Sequence, residues 1–476
     1  MIAAHRLARL HHWDIEASRS KRRAASLAYQ GKLRRLYRFL VLPGLKVLEI
    51  GCGRGDLLAA LHPAVGIGVD FSEGMLRQAR QRHPELTFIQ ADAYELALPQ
   101  TFDVIILSDL VNDLWDVQTV FSRLLPLCTP GTRIILNFYS RLWQLPLNAA
   151  RRLGLAQPLL PQNWLAPDDV TNLLRLAGFE TVRGWPEILC PLPVPIVGRL
   201  LNRYLVKLWL LRSLALTNLI IARPAPVHVS YPAAGNERPR VSVIIPARNE
   251  AGNIPAILAR VPEMGGGTEL IFVEGGSSDD SYDIIRLAIS EHPERKAQLF
   301  KQSGKGKGDA VRLGFAKATG DILMILDADL TVPPEDLPRF YDALVSGKGE
   351  FINGVRLVYP MEDKAMRFCN LVANKFFGVA FSWLLGQPVK DTLCGTKVMW
   401  KHDYERLVAN RAYFGDFDPF GDFDLLFGAA RLNLKIVDLP VRYRERTYGT
   451  TNIQRWRHGV MLLRMMLFAA RRIKFV

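Results

Sequence analysis

Short apolar runs alternate with longer segments of helical periodicity along most of the chain. The runs cover Lys46–Ile50, Gly66–Val69, Thr87–Ile89, Val104–Leu107 and Arg133–Leu136 in the first half, and Val241–Ile245, Leu270–Val273 and Ile322–Leu326 in the second. Short strands separated by helices predict parallel sheets, and such sheets bind ligands at the carboxyl ends of their strands. The pattern therefore predicts an α/β protein with one sheet in each half.

A stretch rich in proline, alanine and glycine, residues 222–239, separates the two series of strands. Such composition is typical of a linker between domains. We therefore expect one domain over 1–223, a linker over 224–239 and a second domain over 240–476. The chain length of 476 residues agrees with two or three domains of about 100–200 residues each.

Composition indicates a folded protein, because 49% of the residues are hydrophobic and 22% are charged. The five cysteines form no CxxC pair, which argues against a zinc knuckle or a disulfide framework. The N-terminus lacks the apolar core of a secretion signal, and no uncharged apolar run reaches the length of about 18 residues that suggests a spanning helix. We expect a cytoplasmic protein.

The net charge of +15 is concentrated at the two ends of the chain. Residues 1–40 hold ten basic and two acidic residues, and residues 441–476 hold nine and one. Basic ends suit nucleic acid, an anionic membrane surface or phosphorylated ligands. The apolar run Val460–Ala470, interrupted only by Arg464, is suited to lying in a membrane interface, and an ordinary buried amphipathic helix is the alternative.

In the first half, a buried strand leads into a turn with three glycines, Gly51, Gly53 and Gly55. Glycines let the backbone approach a ligand closely. Asp70 ends the next strand, about 20 residues on, where a carboxylate can accept both hydroxyls of a ribose. Asp92 follows the third strand, where it could lie beside an adenine amino group. These positions predict a nucleoside-binding sheet.

The successive segments from about 30 to 223 resemble the motifs of class I S-adenosylmethionine-dependent methyltransferases in order and spacing: VLEIGCGRGDLL, GVDFSEGML, QADAYEL and FDVIILSD. The resemblance implies a Rossmann-like fold and S-adenosyl-L-methionine as cofactor. It also implies that Glu49 and the three glycines line the methionine end of the cofactor, that Asp70 holds the ribose and that Asp92 holds the adenine.

The methyl acceptor is less closely defined. Methyltransferases that act on the amino groups of nucleic-acid bases resemble one another in an Asn/Asp-Pro-Pro-aromatic tetrad after the fourth strand. This chain has Ser108-Asp109-Leu110-Val111 there, which argues against methylation of a base amino group. Few aromatic residues lie among the N-terminal arginines, so we expect no nucleic-acid partner. Asp109, Asp113 and Tyr139 are either acceptor-pocket groups or structural residues. The basic segment Arg19–Arg38 is a candidate acceptor lid.

In the second half, three predicted strands end in polar groups. The first ends in Pro246 to Glu250, the second in Glu274 and the third in Asp327-Ala328-Asp329. Two carboxylates at i and i+2 can together approach a hard divalent cation, which neutralises a diphosphate leaving group. The pattern predicts a metal-assisted site for a diphosphate-containing ligand.

Residues 241–460 resemble family 2 inverting glycosyltransferases of the GT-A fold, most closely the dolichyl- or polyprenyl-phosphate branch, in the segments VSVIIPARNE, FVEGGSSDDS, GKGDAVRLGF, GDILMILDADL, DTLCGTK, FGDFDLL and VRYRERTYGTT. The resemblance implies a nucleotide-sugar donor and Mg2+ or Mn2+ bound by Asp327 and Asp329. It implies that the donor's base and ribose contact Pro246, Arg248, Asn249, Glu250 and Glu274. Because the usual Asp-Asp-Gly-Ser reads Glu274-Gly275-Gly276-Ser277 here, UDP and GDP both remain open.

An inverting transferase needs a general base for the acceptor, although a phosphate monoester acceptor makes that base nearly dispensable. Asp422 and Asp424 match the family's acidic pair that opens a helix, and Asp391 is a third candidate. Lys305 and Lys307 lie in a Gly-Lys segment that lacks the Ser or Thr of a P-loop, and we expect them to edge the donor site or a solvated loop.

Three arginines, Arg442, Arg444 and Arg446, alternate along a predicted extended segment and so share one face. Guanidinium groups bind phosphate bidentately, and the resemblance places them on the acceptor phosphate. Together the two halves predict a bifunctional transferase of cell-surface glycan or glycolipid synthesis, cytoplasmic or peripheral on the inner face of the cytoplasmic membrane. The alternative is an active glycosyltransferase with a non-catalytic domain that senses S-adenosylmethionine or serves as a scaffold.

Overall fold

A computed structural model describes residues 2–18, 24–154, 160–208, 210–226, 238–359, 368–413, 421–446, 448 and 455–475. The chain divides into two compact units. Residues 1–225 with 475–476 form the first, and residues 226–474 form the second. The division falls inside the predicted linker, of which residues 227–237 lie outside the described part of the chain. Each unit contains one seven-stranded sheet among its described residues.

The N-terminal unit alternates strands and helices, as the apolar pattern predicts. Its strands are β1 (Lys46–Ile50), β2 (Val65–Asp70), β3 (Thr87–Gln90), β4 (Phe102–Ser108), β5 (Cys128–Tyr139), β6 (Phe179–Glu187) and β7 (Thr217–Pro224). Its helices are α1 (Ile2–Ser18), α2 (Ala24–Leu40), α3 (Asp56–Ala60), α4 (Glu73–Arg82), α5 (Val117–Leu124), α6 (Gln144–Arg152), α7 (Pro167–Leu176) and α8 (Pro195–Arg203). The five apolar runs of this half all lie within β1 to β5, which confirms their prediction as strands.

The first sheet has the strand order β3-β2-β1-β4-β5-β7-β6. The first five strands in sequence are parallel, and β7 runs antiparallel between β5 and β6. Both faces of the central strands are buried: Leu48 and Ile105 pack toward α5 and α7, and Val47 and Ile106 pack toward α2 and α3. The polar residues that end these strands therefore gather at one edge of the sheet.

The C-terminal unit also alternates strands and helices. Its strands are β8 (Val241–Ala247), β9 (Thr268–Glu274), β10 (Lys296–Lys301), β11 (Ile322–Ile325), β12 (Phe351–Val355), β13 (Lys397–Trp400) and β14 (Ile436–Pro440). Its helices are α9 (Ile254–Arg260), α10 (Ser281–Glu291), α11 (Lys307–Lys317), α12 (Leu337–Val345), α13 (Phe368–Leu385), α14 (Lys401–Ala409), α15 (Asp422–Arg431) and α16 (Arg455–Ala469).

The second sheet has the order β10-β9-β8-β11-β13-β12-β14. Strands β8, β9, β10 and β11 are parallel, whereas β13 runs antiparallel to β11. Because of this reversal, the first residue of β13, Lys397, lies at the edge where β11 ends. Two Rossmann-like sheets are thus present, as predicted. In the part of the chain that the structure describes, no helix is both long enough and apolar enough to cross a membrane.

Candidate active sites

The turn after β1 has backbone angles that glycine adopts readily. Gly51, Gly53 and Gly55 have φ of 72°, 52° and 74°, a region that other residues rarely adopt. The amides of Gly51 and Cys52 donate to the carbonyl of Val69, so the turn is held against β2. A Cβ at Gly55 would collide with the Phe88 ring. The positive φ angles therefore give all three positions a conformational reason for glycine, and Gly55 has a steric reason as well.

Asp70 and Glu49 both carry buried carboxylates near this turn, but they face different partners. Asp70 accepts the amides of Gly53 at 2.8 Å and Ser72 at 3.0 Å, and it lines a cavity. Glu49 accepts the amide of Leu58 at 3.0 Å in the first helical turn of α3. Burial raises the pKa of Glu49 to about 8. Glu49 is not among the residues that line the cavity.

The cavity lies between α1 and the carboxyl edge of the sheet and, together with the solvent space at its mouth, has a volume of about 550 Å3. Gly51, Asp70 and Asp92 line it from the sheet side, and α1 contributes a wall that the sequence reasoning missed, with His5, Arg6, Arg9 and Trp13. Arg6 donates to the carboxylate of Asp92, and Arg9 donates to Asp113 at 3.1 Å. The basic HRLARLHHW pattern of this helix was the available signal.

The described part of the predicted lid segment does not line this cavity. Residues 19–23 of Arg19–Arg38 fall outside the described residues, and the rest forms α2, where Arg38 donates to the carbonyl of Ala60 at 2.9 Å. Asp70 lines the cavity with a carboxylate that can accept hydroxyl groups, as a ribose would require, and Gly51 lines it with backbone.

A buried polar cluster lies at the end of β4, centred on Asp109. Its carboxylate accepts the hydroxyl of Tyr29 at 2.8 Å and the amide nitrogen of Asn137 at 2.5 Å. The Tyr29 hydroxyl is also 3.1 Å from Thr217 Oγ1. Burial raises the pKa of Asp109 to about 7. Of the three acceptor-pocket candidates, Asp109 and Tyr139 lie in or beside this cluster, and Asp113 pairs with Arg9 at the cavity.

In the C-terminal unit, hydrogen bonds join the loops after β8 and β9 into one rim at the edge of the sheet. The amide of Asn249 donates to Ser277 Oγ at 3.0 Å, and the amide of Ser278 donates to Asn249 Oδ1 at 2.7 Å. Glu274, which ends β9, accepts the amide of Ser277. Pro246 lies within β8, and Arg248 is exposed at the rim. The residues expected at the donor's base and ribose are thus brought together.

Asp327 and Asp329 follow β11, and each carboxylate faces a cationic side chain. Asp327 Oδ1 is 2.5 Å from Lys307 Nζ, and Asp329 Oδ2 is 2.6 Å from Arg446 Nη2. Burial opposes ionisation of Asp327, but Lys307 together with the Lys397 and Arg356 cations holds its pKa below the usual range. Arg446 also contacts Glu250 at 3.1 Å, and burial raises the pKa of Glu250 to about 7 despite this cation.

Carboxylate oxygens are the preferred ligands of a hard divalent cation, and in this structure the carboxylates of Asp327 and Asp329 are paired with Lys307 and Arg446 instead. Among the described residues, no three His, Cys, Asp or Glu side chains form a metal site. The remaining ligands would therefore be donor phosphates and water. Gly395 lies against this position, since a Cβ there would collide with the Asp327 carboxylate.

Of the two predicted lysines, Lys307 reaches Asp327 as the first residue of α11, whereas Lys305 is exposed in the preceding turn. The amino ends of α11 and α15 meet, since a Cβ at Gly308 would lie 2.8 Å from the amide nitrogen of Gly421. Two helix amino ends, each with partial positive charge, therefore adjoin the carboxylates that follow β11.

The three candidate bases are separated by the fold. Asp422 lies 3.0 Å from the ammonium of Lys397, and both side chains are buried. Asp424, two residues on, pairs instead with Arg411 at 3.1 Å. Asp391 is fully buried in a bidentate pair with Arg356, at 2.7 and 2.8 Å, and this cation lowers its pKa although burial opposes it. Asp422 is the candidate that shares the charged environment of Lys307.

The three arginines after β14 also differ in their surroundings. Arg446 reaches Asp329 and Glu250, whereas Arg442 stacks over the Tyr359 ring at 5.4 Å and Arg444 is exposed. Residues 447 and 449–451 of the VRYRERTYGTT motif lie outside the described residues. Sequence reasoning did not single out Lys397 or Arg356. A lysine that begins an apolar strand was the signal for Lys397.

Comparison with known proteins matches each half to one family model. Residues 47–131 match the model described as methyltransferase domain. Residues 242–406 match the model described as glycosyl transferase family 2. These matches lie in the N-terminal and C-terminal units respectively.

Among curated proteins, the chain is similar to the undecaprenyl-phosphate 4-deoxy-4-formamido-L-arabinose transferases of Aeromonas hydrophila and Pectobacterium atrosepticum. It is 36% identical to the first over 232 residues, which cover 48% of this chain and 65% of the relative. It is 33% identical to the second over 215 residues, which cover 44% of this chain and 62% of the relative. The chain thus spans less than two thirds of the length of these relatives.

Among solved structures, an S-adenosylmethionine-dependent methyltransferase of Mesorhizobium loti matches 41% of this chain and 97% of its own, at 21% identity and a TM-score of 0.32. Glucosyl-3-phosphoglycerate synthase of Mycobacterium tuberculosis, in complex with UDP, matches 49% of this chain and 80% of its own, at 21% identity and a TM-score of 0.36. The family models thus match the N-terminal unit to methyltransferase domains and the C-terminal unit to family 2 glycosyl transferases.

Proposed function

We propose that the chain is a bifunctional transferase. Its C-terminal unit transfers a sugar from a UDP- or GDP-sugar to a polyprenyl phosphate or a related glycolipid, and its N-terminal unit transfers a methyl group from S-adenosyl-L-methionine. The observation that carries the proposal is the convergence of Asp327, Asp329, Lys307 and Asp422 at the strand ends of the second sheet. We place the enzyme on the cytoplasmic side, peripheral to the membrane.

The donor site follows from the two loops and the acidic pair. The bonded rim of Arg248 to Glu250 and Glu274 to Ser277 would hold the base and ribose. Asp327 and Asp329 would hold Mg2+ or Mn2+, which when bound neutralises the negative charge that develops on the diphosphate leaving group. Lys307 and the amino end of α11 add positive charge from the protein beside the same group.

The state of Asp422 supports a phosphate acceptor. A hydroxyl acceptor needs a base that takes its proton, but the carboxylate of Asp422 already pairs with the buried ammonium of Lys397 at 3.0 Å. A phosphate monoester is already an anion and needs no such proton transfer. The named relatives are undecaprenyl-phosphate transferases, which agrees with this choice. Arg442 and Arg444 supply exposed guanidinium groups suited to the acceptor phosphate.

The N-terminal unit would bind S-adenosylmethionine in the cavity under α1, with Asp70 at the ribose and Asp92 at the adenine. The methyl group then passes to a nucleophile held in line with the sulfonium. Asp109 lies close to the glycine turn, because the side chain of the next residue, Leu110, packs beside Gly51. A carboxyl group with a pKa of about 7 can take up the acceptor's proton near neutral pH. This cluster favours catalysis over a purely sensing domain.

The test is nucleotide release from a panel of UDP- and GDP-sugars with Mn2+ or Mg2+, with and without polyprenyl-phosphate liposomes. We expect release that requires liposomes and falls by about 100-fold or more in Asp329→Asn. Asp283→Asn, an exposed change on α10, is the matched control and should keep full activity. Equal release by wild type and Asp329→Asn, or release that is independent of the lipid phosphate, would contradict the proposal.

A further inference from the structure

The connection between β6 and β7 has an unusual composition. The sequence contains no acidic residue between Glu187 and Glu237. From 188 to 214 it is dominated by leucine, valine, isoleucine and proline, with four basic residues, Arg199, Arg203, Lys207 and Arg212. Lys207 is buried against Glu187, whereas the three arginines are exposed.

Many large apolar side chains of this connection are exposed. Ile196 is 76% exposed and Leu210 is 64% exposed, and the other exposed members are Leu192, Val194, Val197, Leu200, Leu208 and Leu214. On α8, Ile196, Val197 and Leu200 are spaced i, i+1 and i+4, so they share one face of the helix. Single exposed apolar residues are ordinary, but a run of this length marks an interaction surface.

A second segment extends the same surface. After β5, Leu142, Leu145 and Leu153 are 61%, 79% and 73% exposed, and Arg141 and Arg152 are exposed beside them. Trp143 Nε1 donates to the carbonyl of Leu214 at 2.8 Å, which joins this segment to the first one. We call the described residues of 141–153 and 192–214 the apolar-basic surface.

The apolar-basic surface adjoins the edge of the sheet where methyl transfer is proposed. Its two segments begin after β5 and β6, and the last residues of these strands, Tyr139 and Glu187, both pair with Thr217. Thr217 Oγ1 lies 3.1 Å from the Tyr29 hydroxyl, which donates to Asp109. The strand ends from which the two segments of this surface continue therefore lie next to the Asp109 cluster.

We propose that the apolar-basic surface docks the methyltransferase unit on an anionic lipid bilayer, so that the methyl acceptor is presented from the membrane. Apolar side chains that enter the interface, interspersed with arginines and without any carboxylate, are complementary to anionic headgroups above acyl chains. A second copy of the chain is a poorer occupant, because a two-fold contact would bring the same arginines together. The membrane-borne acceptor rests on the proposed methyl-transfer function, whereas docking itself does not.

The test is co-sedimentation of the full chain with vesicles of phosphatidylcholine alone or mixed with phosphatidylglycerol. We expect binding to the anionic vesicles only. Leu145→Ser/Ile196→Ser and Arg199→Glu/Arg203→Glu should each weaken the partition coefficient about ten-fold or more, since each basic residue near an anionic surface contributes roughly five-fold. Circular dichroism and thermal unfolding establish that each variant is folded.

Two matched variants give the test its discrimination. Leu287→Ser removes an exposed leucine of α10 and should bind as wild type does. Leu463→Ser/Leu467→Ser removes exposed leucines of α16, so a loss confined to this variant would assign membrane binding to the C-terminal helix and overturn the proposal. The proposal would also be overturned if both surface variants bound vesicles as wild type does. It would likewise be overturned if these variants kept vesicle binding but lost a concentration-dependent dimer that wild type forms.

The outcome is separable from that of the proposed function. Vesicle binding needs neither nucleotide-sugar nor S-adenosylmethionine, so it is measured in their absence. Docking without any methyl transfer to a lipid extract would refute the methyl-transfer proposal and leave the surface assignment standing. Methyl transfer to lipid that persists in both surface variants would refute the role of the surface alone.

Discussion

Replacement of Lys397 by methionine tests the reasoning about Asp422 most directly. Lys397 is 1% exposed, and its ammonium lies 3.0 Å from the Asp422 carboxylate, which is also buried. Methionine keeps the apolar stem of lysine and removes only the charge and its hydrogen bonds. The variant therefore leaves a buried carboxylate without its nearest cation.

The expected cost is roughly 3 kcal/mol of unfolding free energy for the C-terminal unit. Removing one partner of a buried ion pair costs about 3–5 kcal/mol. We take the lower end because the Lys307 cation also acts on the Asp422 carboxylate. For a unit of this size, about 2–4 °C is lost per kcal/mol, so the melting transition of the C-terminal unit should fall by roughly 6–12 °C.

The assay is a double-mutant cycle of Lys397→Met, Asp422→Asn and the two together, read by calorimetry and by nucleotide release. Removing both charges should restore most of the lost stability. The double variant should then be less destabilised than the sum of the two single variants, so the coupling energy has the opposite sign to the cost of either single substitution. If the acceptor is a phosphate, the Asp422→Asn variant should keep most of its turnover. If the acceptor is a hydroxyl group, the turnover of the same variant should instead fall by about 100-fold or more.

Two results would refute this reasoning. A Lys397→Met variant with wild-type stability would mean that the pair does not stabilise the fold as an ion pair. A double variant as unstable as the sum of the singles would mean that Lys397 and Asp422 act independently.

Two further predictions concern the N-terminal unit. Burial raises the folded-state pKa of Glu49 from 4.5 to about 8, so its contribution to stability is full below pH 4.5 and is lost as the pH rises through 8. Glu49→Gln can still accept the Leu58 amide, so its melting temperature should vary less over that range in calorimetry, and an unchanged pH dependence would contradict the assignment. Because the pKa of Asp109 is about 7, kcat for methyl transfer should rise through pH 7 in wild type. Asp109→Asn should lose this inflection in a pH–rate profile, and a profile that keeps it would exclude Asp109 as the base.

The sequence alone located the strands and the chemistry at their ends. The apolar runs became β1 to β5, β8, β9 and β11 because buried parallel strands have nearly continuous apolar sequences. The glycine turn after Ile50 and the acidic pair after Ile325 were recognisable because turns and strand ends depend on a few adjacent residues. Strand order then placed both sets at the carboxyl edges, as expected.

The tertiary structure decided which of these residues meet. Asp422 and Asp424 are two positions apart, and the helical period of 3.6 residues directs them to different partners, Lys397 and Arg411. Arg446 lies 117 residues from Asp329 in sequence, so no local pattern signals their ion pair. The same holds for Arg6 and Asp92, which are separated by 86 residues.

Exposure is likewise a property of the fold. The sequence from 188 to 214 is apolar enough to suggest a core segment, yet the structure leaves Ile196 and Leu210 in solvent. An apolar pattern indicates that a segment avoids water, but whether it packs against its own protein depends on the surfaces that the remaining chain brings to it. Local chemistry was therefore determined by sequence, and the pairing of charges and the exposed surfaces were determined by contacts between distant segments.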